Sequence, residues 1–184
     1  TITEITDKID SVPTAALSAP DADQLARALE RSDNIQIKLQ LTPKFEPAST
    51  SGNVVGEIVG TESPEEVIII GGHLDSWDLG TGAIDDGAGI GITVAAARLI
   101  KDRYPKGLNR TIRIIMWGSE EVGLVGAKAY AEAHKHDLHN FIVAAESDFG
   151  AGKIWKFNSF FAEEKLHYLS EIADVLRPLG IAKG

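Results

Sequence analysis

Hydrophobic positions follow two different patterns along this chain. The run "IQIKLQL", Ile35 to Leu41, alternates apolar and polar residues and predicts a strand with one wet face. From Asn53 onward the alternation gives way to short, almost continuous apolar runs. These are "VVGEIVG" from Val54, "VIIIGG" over Val67 to Gly72, "TIRIIMWG" over Thr111 to Gly118, and "FIVAAE" over Phe141 to Glu146. Runs apolar on both faces of the pleat belong to strands that are covered from both sides. Between and after them lie segments of helical period: Asp86 to Arg103, an alanine-rich stretch from Val122 to Lys135, and Ala162 to Leu176, which stops at Pro178 and Gly180. An earlier helix from Pro20 to Arg31 carries Leu25, Ala28 and Leu29 on its apolar face. Strands alternating with helices of this length predict an α/β fold, a three-layer αβα arrangement around a mostly parallel central sheet. Residues 1 to 20, broken by Pro13 and Pro20, read as a connector with room for one short strand. The loop "KFEPASTSGN" marks the end of a small N-terminal piece.

Placing the acids on that sheet changes the picture. "VIIIGG" runs into His73-Leu74-Asp75, "TIRIIMWGS" into Glu120-Glu121, and "FIVAAES" into Asp148. In an open parallel sheet the ligand crevice lies beyond the carboxyl ends of the strands, so residues distant in sequence converge there. Asp85-Asp86 joins them from the glycine-rich loop that opens the next helix. So many carboxylates in one crevice repel one another unless some are protonated or a divalent cation is bound. A mixed histidine and carboxylate set suits zinc, with manganese or cobalt as alternatives, and argues against a calcium site lined by oxygen alone. On an extended segment His73 and Asp75 face the same way, so Asp75 is placed to orient the imidazole. Of the neighbours Glu120 and Glu121, one can ligate while the other serves as a general base.

Each residue taken singly has a plainer explanation. A histidine after a strand is commonly structural, a Glu-Glu pair complements a helix dipole, and an aspartate before a helix is commonly its cap. The conjunction at corresponding strand ends is what points to a metal. His134, His136 and His139 cluster near a helix end, where solvation accounts for them. His167 is expected to pack, Trp77 is expected in the core, with the wall of a pocket next to the metal loop as its alternative, and Glu146, two residues before Asp148, is a candidate to receive a substrate's α-amino group.

Composition narrows the partners. The net charge of −9 lacks the basic face that nucleic acid or an anionic membrane requires. With no cysteine, thiolate zinc sites and cysteine nucleophiles are excluded. No apolar run approaches the roughly 20 residues of a membrane helix. Neither G-x-S-x-G nor H-E-x-x-H occurs, and "DDGAGIG" lacks the spacing and lysine of a phosphate loop.

The segments "GGHLDSWDLGTGAIDDGAG", "MWGSEEVGLVGAKAY" and "AAESDFGAG", in this order and spacing, resemble the M28 family of co-catalytic zinc peptidases, and within it the carboxypeptidase Q group. "VPTAALSAPDADQLARAL" and "SGNVVGEIVGTESPEEV" extend the likeness over nearly the whole chain. The resemblance implies two zinc ions per complete site, with His73 and Asp148 on one, Glu121 on the other, and Asp85 bridging. It further implies that Asp75 orients His73, that Glu120 is the base acting on a zinc-bound water, and that the Asp85-Asp86 peptide is cis. The implied substrates are dipeptides or short peptides cleaved by an exopeptidase, in a secreted or periplasmic setting, with homodimerisation as a further expectation.

On the same resemblance, residues 1–47 are the tail of a small inserted domain and its connector. Residues 48–184 are then a catalytic domain incomplete at its C-terminal end, before the family's fifth ligand, a histidine. That shortfall keeps a non-catalytic metal-binding fragment open. A single-zinc acyl transferase of the glutaminyl-cyclase kind is the other alternative.

Overall fold

The computed structural model describes residues 14–42, 47–148 and 150–183, and the chain divides into two units, Thr1–Thr50 and Ser51–Gly184. In the first unit the helix α1 spans Ala19–Leu29. It begins one residue before Pro20 because Ser18 caps it, its Oγ accepting the Asp21 N–H at 3.3 Å. The alternating run Ile35 to Leu41 forms no strand among the described residues. Alternation supplies an apolar face but no hydrogen-bonding partner, and a ladder needs both.

The second unit carries the predicted sheet. Its strands are β1 (Val54–Ile58), β2 (Ser63–His73), β3 (Arg110–Trp117) and β4 (Phe141–Glu146), in the order β1-β3-β2-β4. β2 runs parallel to both β3 and β4, and only β1 is antiparallel. Two crossover helices follow their strands: α2 (Gly87–Arg103) after β2 and α3 (Val125–Ala133) after β3. They lie on opposite faces. α2 packs on β2 and β3, where a Cβ on Gly72 would stand 2.6 Å from Asp86 Oδ2 and 3.1 Å from the Ile90 nitrogen. On the other face Val67, Ile69 and Ile115 form the core cluster, against which Trp117, Phe141 and Tyr130 of α3 pack. Ile115 is wholly buried, a contribution of about 2–3 kcal/mol from that one side chain.

α3 starts later than the apolar pattern suggests. Gly123 and Leu124 have φ of 119° and 59°, a left-handed turn that holds Val122 out of the helix. The last helix, α4 (His167–Leu176), follows a short 3-10 turn at Glu163–Lys165 and ends toward Pro178 and Gly180, whose φ is 76°. A small parallel pair, β5 (Lys156–Phe157) and β6 (Ala182–Lys183), completes the unit. No helix among the described residues is long and apolar enough to cross a membrane.

Register places the chemistry. Gly72 is opposite Met116, His73 opposite Trp117, and Gly71 opposite Glu146. With β2 lying between β3 and β4, the residues that follow each strand emerge at one edge with His73 in the middle.

Candidate metal centre

His73 is the pivot of this edge, its side chain 1% exposed. Its Nδ1 lies 2.8 Å from the backbone carbonyl oxygen of Asp75, an acceptor only, so Nδ1 carries the proton and donates it there. That leaves the other ring nitrogen, Nε2, facing a carboxylate oxygen of Asp85 at 3.0 Å and one of Asp148 at 3.2 Å. A nitrogen lone pair and two anionic oxygens at these distances require a positive charge among them, either a proton or a cation. The donor atoms of His73, Asp85 and Asp148 all lie within 4.8 Å of one another.

Asp85 and Asp86 divide their work. Asp85 turns its carboxylate to the crevice, 63% exposed. Asp86 is buried and accepts the His73 backbone N–H at 3.0 Å and the Gly89 N–H at 3.1 Å. It therefore ties the end of β2 to the start of α2, and the plainer explanation as a helix cap holds for this one residue. The peptide between the two aspartates is cis.

The carboxylate of Asp75 sits differently from the expected arrangement. Its Oδ1 is 3.7 Å from His73 Nδ1, and the nearer contact to the ring is the Asp75 carbonyl. The carboxylate instead accepts the backbone N–H of Glu120 at 2.8 Å and of Glu121 at 3.1 Å. Asp75 thus positions the imidazole through its main chain and the Glu120-Glu121 turn through its side chain.

That turn has a second anchor which the sequence did not disclose. Asn53 Oδ1 accepts the Gly118 N–H at 3.0 Å, and its Nδ2 donates to the Gly126 carbonyl at 2.9 Å, so one amide clamps both ends of the segment carrying the two glutamates. The Gly126 N–H in turn donates to the Gly118 carbonyl at 2.9 Å. Ser119, with φ 56°, takes the left-handed conformation that this narrow loop requires. The only trace in the sequence is a polar residue just before β1, and its partners lie 65 and 73 residues away.

Glu120 brings a carboxylate oxygen 4.0 Å from His73 Nε2. Burial raises its pKa, as do Asp148, Glu121 and Asp75, while His73 opposes them. Glu121 is outside the three-residue group, but its Oε1 is buried with no hydrogen-bond partner among the described residues. An orphaned buried carboxylate oxygen and a lone pair trapped between two carboxylates both suit bound divalent cations. His73, Asp85, Asp148 and Glu121 therefore fit as ligands. Glu146, although exposed as a residue, has its pKa pushed up to about 7 by desolvation and by the charges of Asp148 and Glu120. His167 does not pack as expected; it is exposed at the start of α4, with Nδ1 3.1 Å from the Glu164 carbonyl.

Without a cation the centre is held by protons, which fixes a pH dependence. Burial opposes charge on His73, but the Asp75 carbonyl and the carboxylates of Asp148, Asp85 and Asp86 overturn it and raise the pKa to about 9. A raised histidine contributes stability that is fully present below its unfolded value of 6.5 and is lost as pH climbs through about 9. The raised Glu146 acts in the same direction between 4.5 and about 7. The chelated chain is therefore expected to lose on the order of 3 kcal/mol between pH 6 and pH 9.5, read from urea midpoints, and added zinc to restore more at the higher pH.

The model of peptidase family M28 matches residues 53–176. Carboxypeptidase Q of Rattus norvegicus is 38% identical over 96% of the chain, which spans 37% of that relative's length. Leucine aminopeptidase 2 of Trichophyton equinum is 32% identical over 87% of the chain and 34% of its own length. Among solved structures, a peptidase M28 precursor from Shewanella amazonensis superposes with a TM-score of 0.81 at 42% identity, over 97% of this chain and 40% of that one.

Proposed function

Because the chain belongs to peptidase family M28, we propose that it hydrolyses peptide bonds at the carboxyl ends of β2, β3 and β4, acting as an exopeptidase on dipeptides or short peptides. The observation that carries this reading is the triangle of His73, Asp85 and Asp148 with the carboxylate of Glu120 at its side. In it, His73 and Asp148 would hold one zinc ion and Glu121 a second, with Asp85 available to both. Residues 48–184 supply this catalytic part, and the setting is secreted or periplasmic.

Bound zinc would supply polarisation of the peptide carbonyl and a lowered pKa for a coordinated water. The chain's own residues do the rest. Glu120 accepts a proton from the attacking water at its carboxylate and returns it to the leaving amine nitrogen. Its raised pKa suits both halves of that task, since a strongly acidic carboxyl would accept the proton poorly. Asp75 keeps Glu120 and Glu121 in place by holding both backbone amides, and Asn53 closes the same turn from outside. Glu146, two residues before Asp148, would receive a substrate's α-amino group.

A single-cation centre is the second reading, favoured by the three-residue group alone, to which Glu121 does not belong. Dipeptide turnover by the zinc-loaded chain, its loss on chelation and its return on adding zinc are the expected results. Turnover that persists in chelator would contradict both versions.

A further inference from the structure

The loop from β2 to α2 borders an open cavity of about 370 Å³ beside the candidate metal centre. Its walls run from Trp77 and Gly80 through Ala83 and Ile84 to Asp85 and Glu121, so two candidate metal ligands form part of its lining. Trp77 does not pack in the core as its ring predicted; it is 54% exposed, and Ile84 is 61% exposed. Two large apolar side chains held out beside an acidic centre are a surface that gains by being covered.

Resting on the hydrolytic reading above, we propose that this cavity is a substrate subsite that takes the uncharged, apolar side chain of the residue next to the cleaved bond, with Trp77 and Ile84 setting the preference. Position supports it, because a peptide whose carbonyl lies at Asp85 and Glu121 carries its neighbouring side chain into the adjoining space. Size supports it too. The volume lies near the lower end of the roughly 300–1,000 Å³ typical of small-molecule pockets, room for one side chain and its backbone. Charge decides the class. Among the described residues the lining holds no lysine or arginine to pair an acidic side chain, and besides the two candidate ligands it offers Trp77, Ile84, Ala83, two glycines and two hydroxyl side chains. A basic side chain would bring its charge to the same two carboxylates, where the cations belong.

The test separates the cavity from the reaction. The chain, chelated and then zinc-loaded, is titrated with N-acetyl-leucine N-methylamide and with its glycine counterpart, both uncharged, while the Trp77 indole N–H and the Ile84 δ-methyl are followed by NMR. Saturable shifts at both probes are expected for the leucine compound, about tenfold weaker for the glycine compound. Equal response to the two compounds, or shifts that avoid both probes, would overturn the subsite. In turnover, Trp77→Ala is expected to lower the ratio of leucyl to glycyl dipeptide kcat/KM roughly tenfold, and Ile84→Ser to lower it in the same direction. An unchanged ratio in both variants overturns the assignment. Binding at both probes without any dipeptide cleavage leaves the subsite standing and removes the hydrolytic reading instead.

Discussion

Glu120→Gln is expected to cut dipeptide hydrolysis by about a thousandfold while leaving zinc uptake nearly unchanged. The substitution keeps the shape of the side chain and its backbone anchor, the Glu120 N–H donated to Asp75 at 2.8 Å. What disappears is basicity: an amide cannot accept the water's proton or hand it to the leaving amine. The proposed ligands His73, Asp85, Asp148 and Glu121 are untouched. The loss should therefore appear in kcat far more than in KM, measured with the zinc content checked on the same sample. A fall of less than about tenfold would place the base elsewhere, since general bases contribute roughly 10²–10⁴.

Gly89→Ala carries the largest expected effect on stability. In an ordinary helix interior, alanine for glycine stabilises by about 1 kcal/mol. Here a Cβ would stand 1.8 Å from the Ser147 carbonyl oxygen and 2.2 Å from Asp86 Oδ1. Neither atom is the free end of a flexible side chain: Ser147 is backbone beside Asp148, and Asp86 is held by two N–H donors. The first turn of α2 must move away from the strand ends, and it pulls on Asp86 and the Asp85 next to it as it goes. A loss of about 3 kcal/mol or more is expected, against the propensity gain, together with weaker zinc binding. A variant as stable as the parent in urea would show that α2 is not seated this closely against the loop after β4.

Most of this arrangement was legible from patterns that fold locally. The doubly covered strands announced themselves as unbroken apolar runs, and because parallel strands end at one edge, the acids after "VIIIGG", "TIRIIMWG" and "FIVAAE" were bound to approach one another. What stayed hidden depends on partners distant in sequence or on main-chain geometry. The alternation of Ile35 to Leu41 says nothing about whether a neighbouring strand exists. Asn53 looks like any polar residue before a strand until β1 pairs with β3 and brings it against Gly118. The two roles of Asp75 are divided between its carbonyl and its carboxylate, and residue type alone cannot assign them. Trp77 was expected in the core for its large apolar ring, whereas it stands 54% exposed in the loop between β2 and α2.

The central claim is that divalent cations belong at the carboxyl ends of these strands, and calorimetric titration of zinc into the chelated chain tests it most directly, with Asp85→Ala titrated alongside. Two zinc ions are predicted, with proton release on binding because His73, whose pKa its neighbours raise to about 9, must give up the proton on Nε2. Both are predicted to weaken when Asp85 is replaced. Zinc binding indifferent to Asp85, or no binding at all, would contradict the account.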